Sequence, residues 1–336
     1  MESYNRPANA PGVFRFAICA ATLAWACVAT SQAQAQQDAY PGRPVKLVVG
    51  FAPGGIADTI GRLVGQALSE SLKQTVVVEN RGGASGTIAA RAVLNAPADG
   101  YTLLVSTTAA PINEAAGVAR DISLGKNLVA LSISGITPEL LAINAKSPVK
   151  SLKDLIDTAR KKKDGIDYAT AGAGTASHIA AEFLFRSLGI KAAHVPHKGG
   201  APALTAVTGG HIELLSISMP PAVSHVKAGT LRGLAVGARQ RSAALPDVAT
   251  AAEQGYPQYD FTSWVGFFAA GATPQPILLK LNAEINKALG TRAVAERMQK
   301  IGFATNVADY PATGKMLDAE VAKWKKAVAT IGYGKK

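Results

Sequence analysis

The sequence predicts an α/β protein of two lobes, each a parallel-rich sheet flanked by helices, with a ligand cleft between them. Three observations carry that expectation. A strand, a Gly-rich turn and a helix follow one another from Val45 to Leu72. Strands and helices then alternate, which implies parallel strands joined by crossover helices. The opening pattern recurs from Ile166 to Leu188, so the second half repeats the architecture of the first without closely repeating its sequence. Facing Gly-rich rims on two lobes define a cleft between them.

The first unit sets the pattern. Leu47-Val48-Val49 is a buried strand, and the Pro and glycines of Gly50 to Gly55 stop it. Ile56, Ile60, Leu63, Val64, Ala67, Leu68 and Leu72 then share one helical face. Thr75 to Asn80 is a second strand, Arg81 to Gly86 a second Gly-rich turn, Thr87 to Leu94 a short helix and Tyr101 to Ser106 a third strand. Ligands of such sheets bind beyond the carboxyl ends of the strands. That rule puts Phe51–Gly55, Gly83–Ser85 and Ser106–Thr108 on one rim. Residues 109–127 carry no clear pattern. Leu128 to Ile133 and Leu140 to Asn144 read as two strands flanking Pro138, and Ser151 caps a helix to Lys162.

In the second half, Ile166 to Thr170 is a strand, Ala171 to Thr175 a Gly-rich turn and Ala176 to Leu188 a helix. Ala193 to Pro196, Ile212 to Ile217 and Leu231 to Gly237 are further strands, with a short helix from Pro202 to Thr208. Phe261 to Ala270 is an extended apolar segment that returns the chain to the first lobe. Helices at Pro276–Leu289, Ala293–Ile301 and 312–329 close the chain, the last with Met316, Val321, Trp324 and Val328 as core positions. The domain expectation is a leader over 1–35, a discontinuous first lobe of 36–140 plus 264–336, and a second lobe of 141–263.

The start of the chain is a targeting segment. Arg6 and Arg15 precede an apolar run from Phe16 to Val28, and Ala33-Gln34-Ala35 is an A-x-A cleavage site. The expectation is export and a soluble mature chain from Gln36, since no later stretch approaches the ~20 apolar residues a membrane span needs. Both cysteines, Cys19 and Cys27, fall inside the leader, so the mature chain has no disulfide, thiolate or Cys-based metal site. A lipidated Cys27 would favour Leu three positions earlier, where Ala24 stands. The formal net charge is +12, but the basic residues are scattered, aromatics are few, and no stacking platform for nucleic acid is visible. The runs Lys161–Lys163 and Lys323 with Lys325-Lys326 read as solvated helix faces, and the overall charge helps attract anions.

The chemistry points to binding rather than catalysis. A strand, a Gly-rich turn and a helix N-terminus form an anion site of free N–H groups and helix dipole. Gly50 to Gly55 has the spacing of a Walker A loop, but Ile56 stands at its Lys, and no GxGxxG occurs. A small carboxylate therefore suits the site better than a nucleotide. GxSxG and HExxH are absent, and strand spacing sets His194 and His197 on opposite faces. No cofactor is implied. Asp58 either stabilises the first helix turn or faces the cleft, where it would suit an amino group or bound water and repel a second carboxylate. His178, one turn into its helix, either meets an anion or satisfies local backbone.

A wider set of motifs carries a resemblance. Tyr40-Pro41-x-Arg43-Pro44, Gly50-Phe51-Ala52-Pro53-Gly54-Gly55-x-x-Asp58, Val77 to Ala84 and Asp99 to Leu104 come in order. Gly172-x-Gly174-Thr175-x-Ser177-His178, His194-Val195-Pro196-x-Lys198-Gly199, Leu245-Pro246-Asp247-Val248, Trp264-x-Gly266-Phe267-Phe268 and Glu320-x-x-Lys323-Trp324 follow. The mature chain resembles, along essentially its whole length, the Bug-type (TctC-like) solute-binding proteins of tripartite tricarboxylate transporters. The resemblance implies a two-lobed, type II-like periplasmic binding protein that closes about a hinge on a di- or tricarboxylate, an acidic amino acid or an aromatic acid. It implies that backbone N–H groups and waters of the two Gly-rich loops hold the carboxylate, and that the closed form is presented to integral membrane subunits. His197 stands where Tyr is usual, Glu213 where Asp is usual, and residues 111–127 lack much of the usual Pro-rich aromatic segment.

The combined expectation is ligand capture without chemistry by a monomer. Carboxylate oxygens meet the N–H groups of residues 52–56, drawing in Phe51, Ala52, Gly54, Gly55 and Ile56 beside Asp58. The hydroxyls of Ser85, Ser106, Thr107 and Thr108 belong to the same rim. Gly174, Thr175, His178 and Lys198 close from the second lobe, with Ser216 and Ser218 on its strand. Two other readings are a periplasmic sensor with the same cleft and a secreted serine hydrolase using Ser177 or Ser106.

Overall fold

In the computed structural model residues 40–334 are described, and every element below lies within 43–334; the leader and its cleavage after Ala35 fall outside the described residues. The buried strand β1 (Val45–Val49) lies between β2 (Val76–Asn80) and β3 (Thr102–Thr107), parallel to both. Helix α1 (Ile56–Leu72) crosses back over them, burying Ile60, Val64 and Leu68 at i, i+4 spacing. Short helices α2 (Thr87–Leu94) and α3 (Ala109–Ala115) follow β2 and β3. The second of these orders part of the segment that carried no clear pattern in sequence.

The expected repeat is present in the topology. Strand β5 (Ile166–Thr170) lies parallel between β6 (Ala192–Pro196) and β7 (Leu214–Ser218), as β1 does between β2 and β3. Helix α4 (Leu152–Lys161) precedes β5, starting at Ser151, whose Oγ accepts the Asp154 N–H (3.0 Å). Helices α5 (Ala176–Ser187) and α6 (Gly200–Thr208) link β5, β6 and β7. Strand β8 (Leu231–Gly237) follows a short helix, α7 (Val223–Lys227). The strand β9 (Thr262–Ala270) returns to the first half, where it pairs antiparallel with β3. Helices α8 (Gln275–Gly290) and α9 (Arg292–Lys300), the short strand β10 (Ala304–Thr305) and helix α10 (Tyr310–Ile331) complete the chain. Observed boundaries depart from the expected ones mostly by one or two residues.

One expectation fails. The two strands flanking Pro138 are a single 17-residue strand, β4 (Leu128–Asn144), that passes from one sheet into the other. Its first part pairs antiparallel with β9, as far as Pro138 opposite Thr262. From Glu139 onward it pairs with β7 and β8. Proline interrupts a strand because it cannot donate to the ladder. Here it falls where β4 changes partners, so the missing donor breaks no continuous ladder. The Pro138 carbonyl accepts the Met219 N–H (3.0 Å), and the Glu139 N–H donates to the Phe261 carbonyl (2.9 Å).

The last helix joins both cores. Leu317 packs with Val48, Leu104 and Trp264 of the first half, with Met316 and Val321 partly buried beside it. About two to four turns later, Trp324, Val328 and Ile331 pack with Tyr168, Ile179 and Phe185 of the second. Trp324 is fully buried, 6.2 Å from the Phe261 ring, and donates its indole N–H to Glu320. It is a packing residue of the joint between the two cores.

Candidate functional site

The two Gly-rich loops are pinned in the same way by different chemistry. In the first, the Gly54 N–H donates to Asp58 Oδ2 (2.9 Å). In the second, the Gly174 N–H donates to His178 Nδ1 (3.2 Å). Each acceptor lies four residues after its glycine, one turn into the following helix. Both candidates are thus turned to their own loops. Asp58 Oδ1 also accepts from Arg62 Nε and Asn80 Nδ2, both at 2.9 Å. Burial opposes charge on Asp58, but the Arg62, Gly54 and Asn80 hydrogen bonds hold its carboxyl below the usual range. Asp58→Asn keeps an oxygen for Gly54 but loses the charge. The expected cost is about 1 kcal/mol in urea unfolding, with ligand selectivity unchanged because the side chain holds the loop.

His178 must be neutral at Nδ1 to accept that hydrogen bond. Burial pushes its imidazole down to about 4. Its ring stacks on His194 with centroids 4.0 Å apart, and the edge of Tyr333 closes the other side at 5.2 Å. Burial, and then the adjacent His178, push His194 down to about 3. This aromatic group lines a separate surface groove with Arg120, Glu182 and Arg186.

The rims of the two halves meet. The Ala52 N–H donates to the Lys198 carbonyl (3.0 Å), and Ser85 Oγ donates to the Ala173 carbonyl. Behind these contacts lies a small cavity of about 30 Å³. Gly55, Ile56 and Ala57 at the start of α1 line it. So do Thr175, Ala176 and Ser177 at the start of α5, and Gly200 at the start of α6. Three helix N-termini therefore point their unpaired N–H groups and dipoles towards one space. Phe51, Thr107, Ser218 and Ser263 add an aromatic wall and three hydroxyls.

The arrangement divides the predicted site residues. Phe51, Gly55, Ile56, Thr107, Thr175 and Ser218 line the cavity. Of the N–H groups of residues 52–56, those of Ala52 and Gly54 are already bonded within the protein, and Pro53 has none. The N–H groups of Gly55 and Ile56, in the cavity lining, are the remaining ones of that set. Ser85 and Lys198 sit at the mouth beside Phe51 and His197. Four residues are used elsewhere or face away. Thr108 Oγ1 accepts the Trp264 N–H (2.9 Å), Ser216 Oγ donates to the Ser177 carbonyl (2.8 Å), Ser106 packs beside Gly86, and His178 lines the other groove. In strand residues side chains alternate across the sheet, so Ser106 falls on the face opposite Thr107.

One cavity residue escaped sequence reasoning altogether. Glu139 is fully buried at the point where β4 changes sheets, and it is the sole ionisable residue in the lining. Its Oε1 accepts from Ser263 Oγ; its Oε2 is buried with no hydrogen-bond partner among the described residues. Burial pushes its carboxyl up to about 7, against the Ser263 hydrogen bond that favours the charged form. The signal was available: one acid between Pro138 and an apolar run, Leu140 to Ile143. Such a residue in a buried strand calls for a partner.

Comparison with known proteins agrees with this geometry. Residues 60–333 match the model described as the tripartite tricarboxylate transporter family receptor, TctC. The chain is 33% identical over 297 residues to Protein BugT of Bordetella pertussis, covering 88% of this chain and 91% of that one. Among solved structures, R. palustris Rpa4515 with adipate is 31% identical with a TM-score of 0.81, covering 87% of this chain and 98% of that one. MatC (Rpa3494) from Rhodopseudomonas palustris with bound malate is also 31% identical, with a TM-score of 0.79 and coverage of 86% and 100%. With a repeated, parallel-rich α/β fold and a cavity where the two halves meet, the chain belongs to the tripartite tricarboxylate transporter receptor family of periplasmic solute-binding proteins.

Proposed function

We propose that the protein captures a small organic carboxylate in the cavity between its halves and delivers it to the membrane subunits of a tripartite tricarboxylate-type transporter. One observation carries the reading: three helix N-termini converge on a cavity lined by hydroxyls and by no lysine or arginine. Such N–H groups bind an anion and need no cationic side chain. Hydrogen bonds to a charged group are worth about 1.5–3 kcal/mol each, so a few suffice for tight binding. The relatives crystallised with adipate and malate support a carboxylate as the ligand class. Capture without turnover fits a solute-binding family.

The halves act as lobes in this reading, 36–140 with 264–336 against 141–263. Hinge closure bends β4 near Pro138–Glu139 and the entry to β9, where the sheets exchange strands. The Ala52–Lys198 and Ser85–Ala173 hydrogen bonds latch the mouth. The leader directs export to the periplasm with cleavage after Ala35, and no helix among the described residues is long and apolar enough to cross a membrane. Thermal unfolding of the chain from Gln36 onward, against mono-, di- and tricarboxylates and amino acids, tests the reading. A ligand at about 1,000 times its Kd adds about 4 kcal/mol, a rise of several degrees. A flat response to every acid, with no carboxylate released from the denatured protein by mass spectrometry, would overturn it.

A further inference from the structure

The cavity has two unlike poles. One is the ring of helix N-termini, suited to a carboxylate. The other is Glu139 in the lining, held by Ser263 through one oxygen and keeping a second, buried, with no hydrogen-bond partner among the described residues. A buried carboxyl oxygen without a partner is costly, so a ligand that supplies the missing hydrogen bond gains in proportion. Resting on the carboxylate reading, we propose that Glu139 is the specificity-determining residue of the site, and that the ligand is a carboxylate whose carbon chain carries a hydrogen-bond donor, an amine or a hydroxyl, for Glu139 Oε2.

Charge and position favour this class. No cationic side chain in the lining offsets Glu139, so an unsubstituted dianion would add negative charge around a buried acid. An ammonium group would stabilise the ionised form, and a hydroxyl donates to the same oxygen without adding charge. The fixed pole also sits where it can be held in register. The backbone of Glu139, on the strand that changes sheets, bonds Phe261 just before β9, and its side chain bonds Ser263 within β9, so two segments support it.

The test is calorimetric titration of the refolded chain from Gln36 onward with matched acids. Propionate, lactate and alanine form one series; succinate, malate and aspartate a second; glutarate, 2-hydroxyglutarate and glutamate a third. In the series that fits the cavity, a substituted acid should bind at least about tenfold tighter than its unsubstituted parent. Glu139→Gln keeps an acceptor oxygen and removes the charge, so it should weaken an amino acid more than a hydroxy acid. Glu139→Met removes both, and should bring the substituted acids to within about threefold of the parent. Ratios within one variant cancel any loss of folded protein. An unsubstituted acid binding as tightly as its derivatives, or ratios that survive Glu139→Met, would overturn the inference and leave the carboxylate reading standing. Failure of every series on the unaltered protein would overturn both.

Discussion

Gly54→Val should abolish ligand binding, weakening it by more than about 100-fold, while a valine in an equally strained turn elsewhere should not. Gly54 has φ +80°, in the left-handed region, and its N–H is fixed by Asp58. A β-branched residue there costs about 1–3 kcal/mol in backbone strain alone. An added Cβ would also lie 3.2 Å from the Ala201 Cβ across the mouth. The loop must therefore turn, and Gly55 and Ile56, the donors beside it, turn with it. Two misplaced hydrogen bonds to a carboxylate at about 1.5 kcal/mol or more each account for the loss. Gly210 is the control: its φ is +78°, with nothing within 4 Å of an added Cβ. Gly210→Val should lower the unfolding midpoint and leave affinity within about twofold, because it shares the strain and not the site. Equal losses of affinity in the two variants would remove the first Gly-rich loop from the binding site.

The second large effect is on stability in acid. His178 sits at about 4 in the folded protein, below its unfolded value near 6.5. Between those values the unfolded chain binds more protons, so stability rises with pH across the window and is lost as pH falls towards 4. The displacement corresponds to about 3 kcal/mol at neutral pH, at about 1.4 kcal/mol per unit. Protonation would also replace the acceptor of the Gly174 N–H with a donor. His194, stacked against it, works in the same direction. Glu139 works in the other. Its folded value of about 7 lies above the ordinary 4.5, so its contribution falls as pH rises from about 4.5 to 7. A variant isolates the histidine. His178→Asn supplies an amide oxygen to Gly174, as Asp58 supplies a carboxylate to Gly54, and it does not titrate. Urea unfolding at pH 7 and pH 4.5 should show a markedly smaller difference for the variant than for the parent. An unchanged difference would mean that His178 is not the group responsible.

How much of this was legible in sequence follows the range of each interaction. The strand–turn–helix at Val45–Leu72 and its recurrence at Ile166–Leu188 are local patterns of apolar spacing and glycine. They fixed the elements, the repeat and the two rims to within a residue or two. The motif order pointed to the family. Sequence also brought Phe51, Gly55, Ile56, Thr107, Thr175 and Ser218 to the neighbourhood of the cavity, because loops after parallel strands converge on one edge.

What it left open depended on contacts between residues far apart in the chain. Asp58 and His178 read equally well as ligand contacts or local anchors, since the same helix position permits both; hydrogen-bond partners assign them to Gly54 and Gly174. Pro138 read as a break, since a proline cannot serve a continuous ladder; the exchange of partners from β9 to β7 and β8 lets one strand run through it. Glu139 was overlooked because its meaning lies in Ser263, Ser218 and the start of α5, which come within reach only when both sheets close on the strand they share. The sequence by itself determined the architecture and the Gly-rich turns that open the helices, because periodicity and turn chemistry act over a few residues. The tertiary structure decided which hydroxyls and which acid line the cavity, because burial and hydrogen-bond satisfaction are properties of the assembled fold.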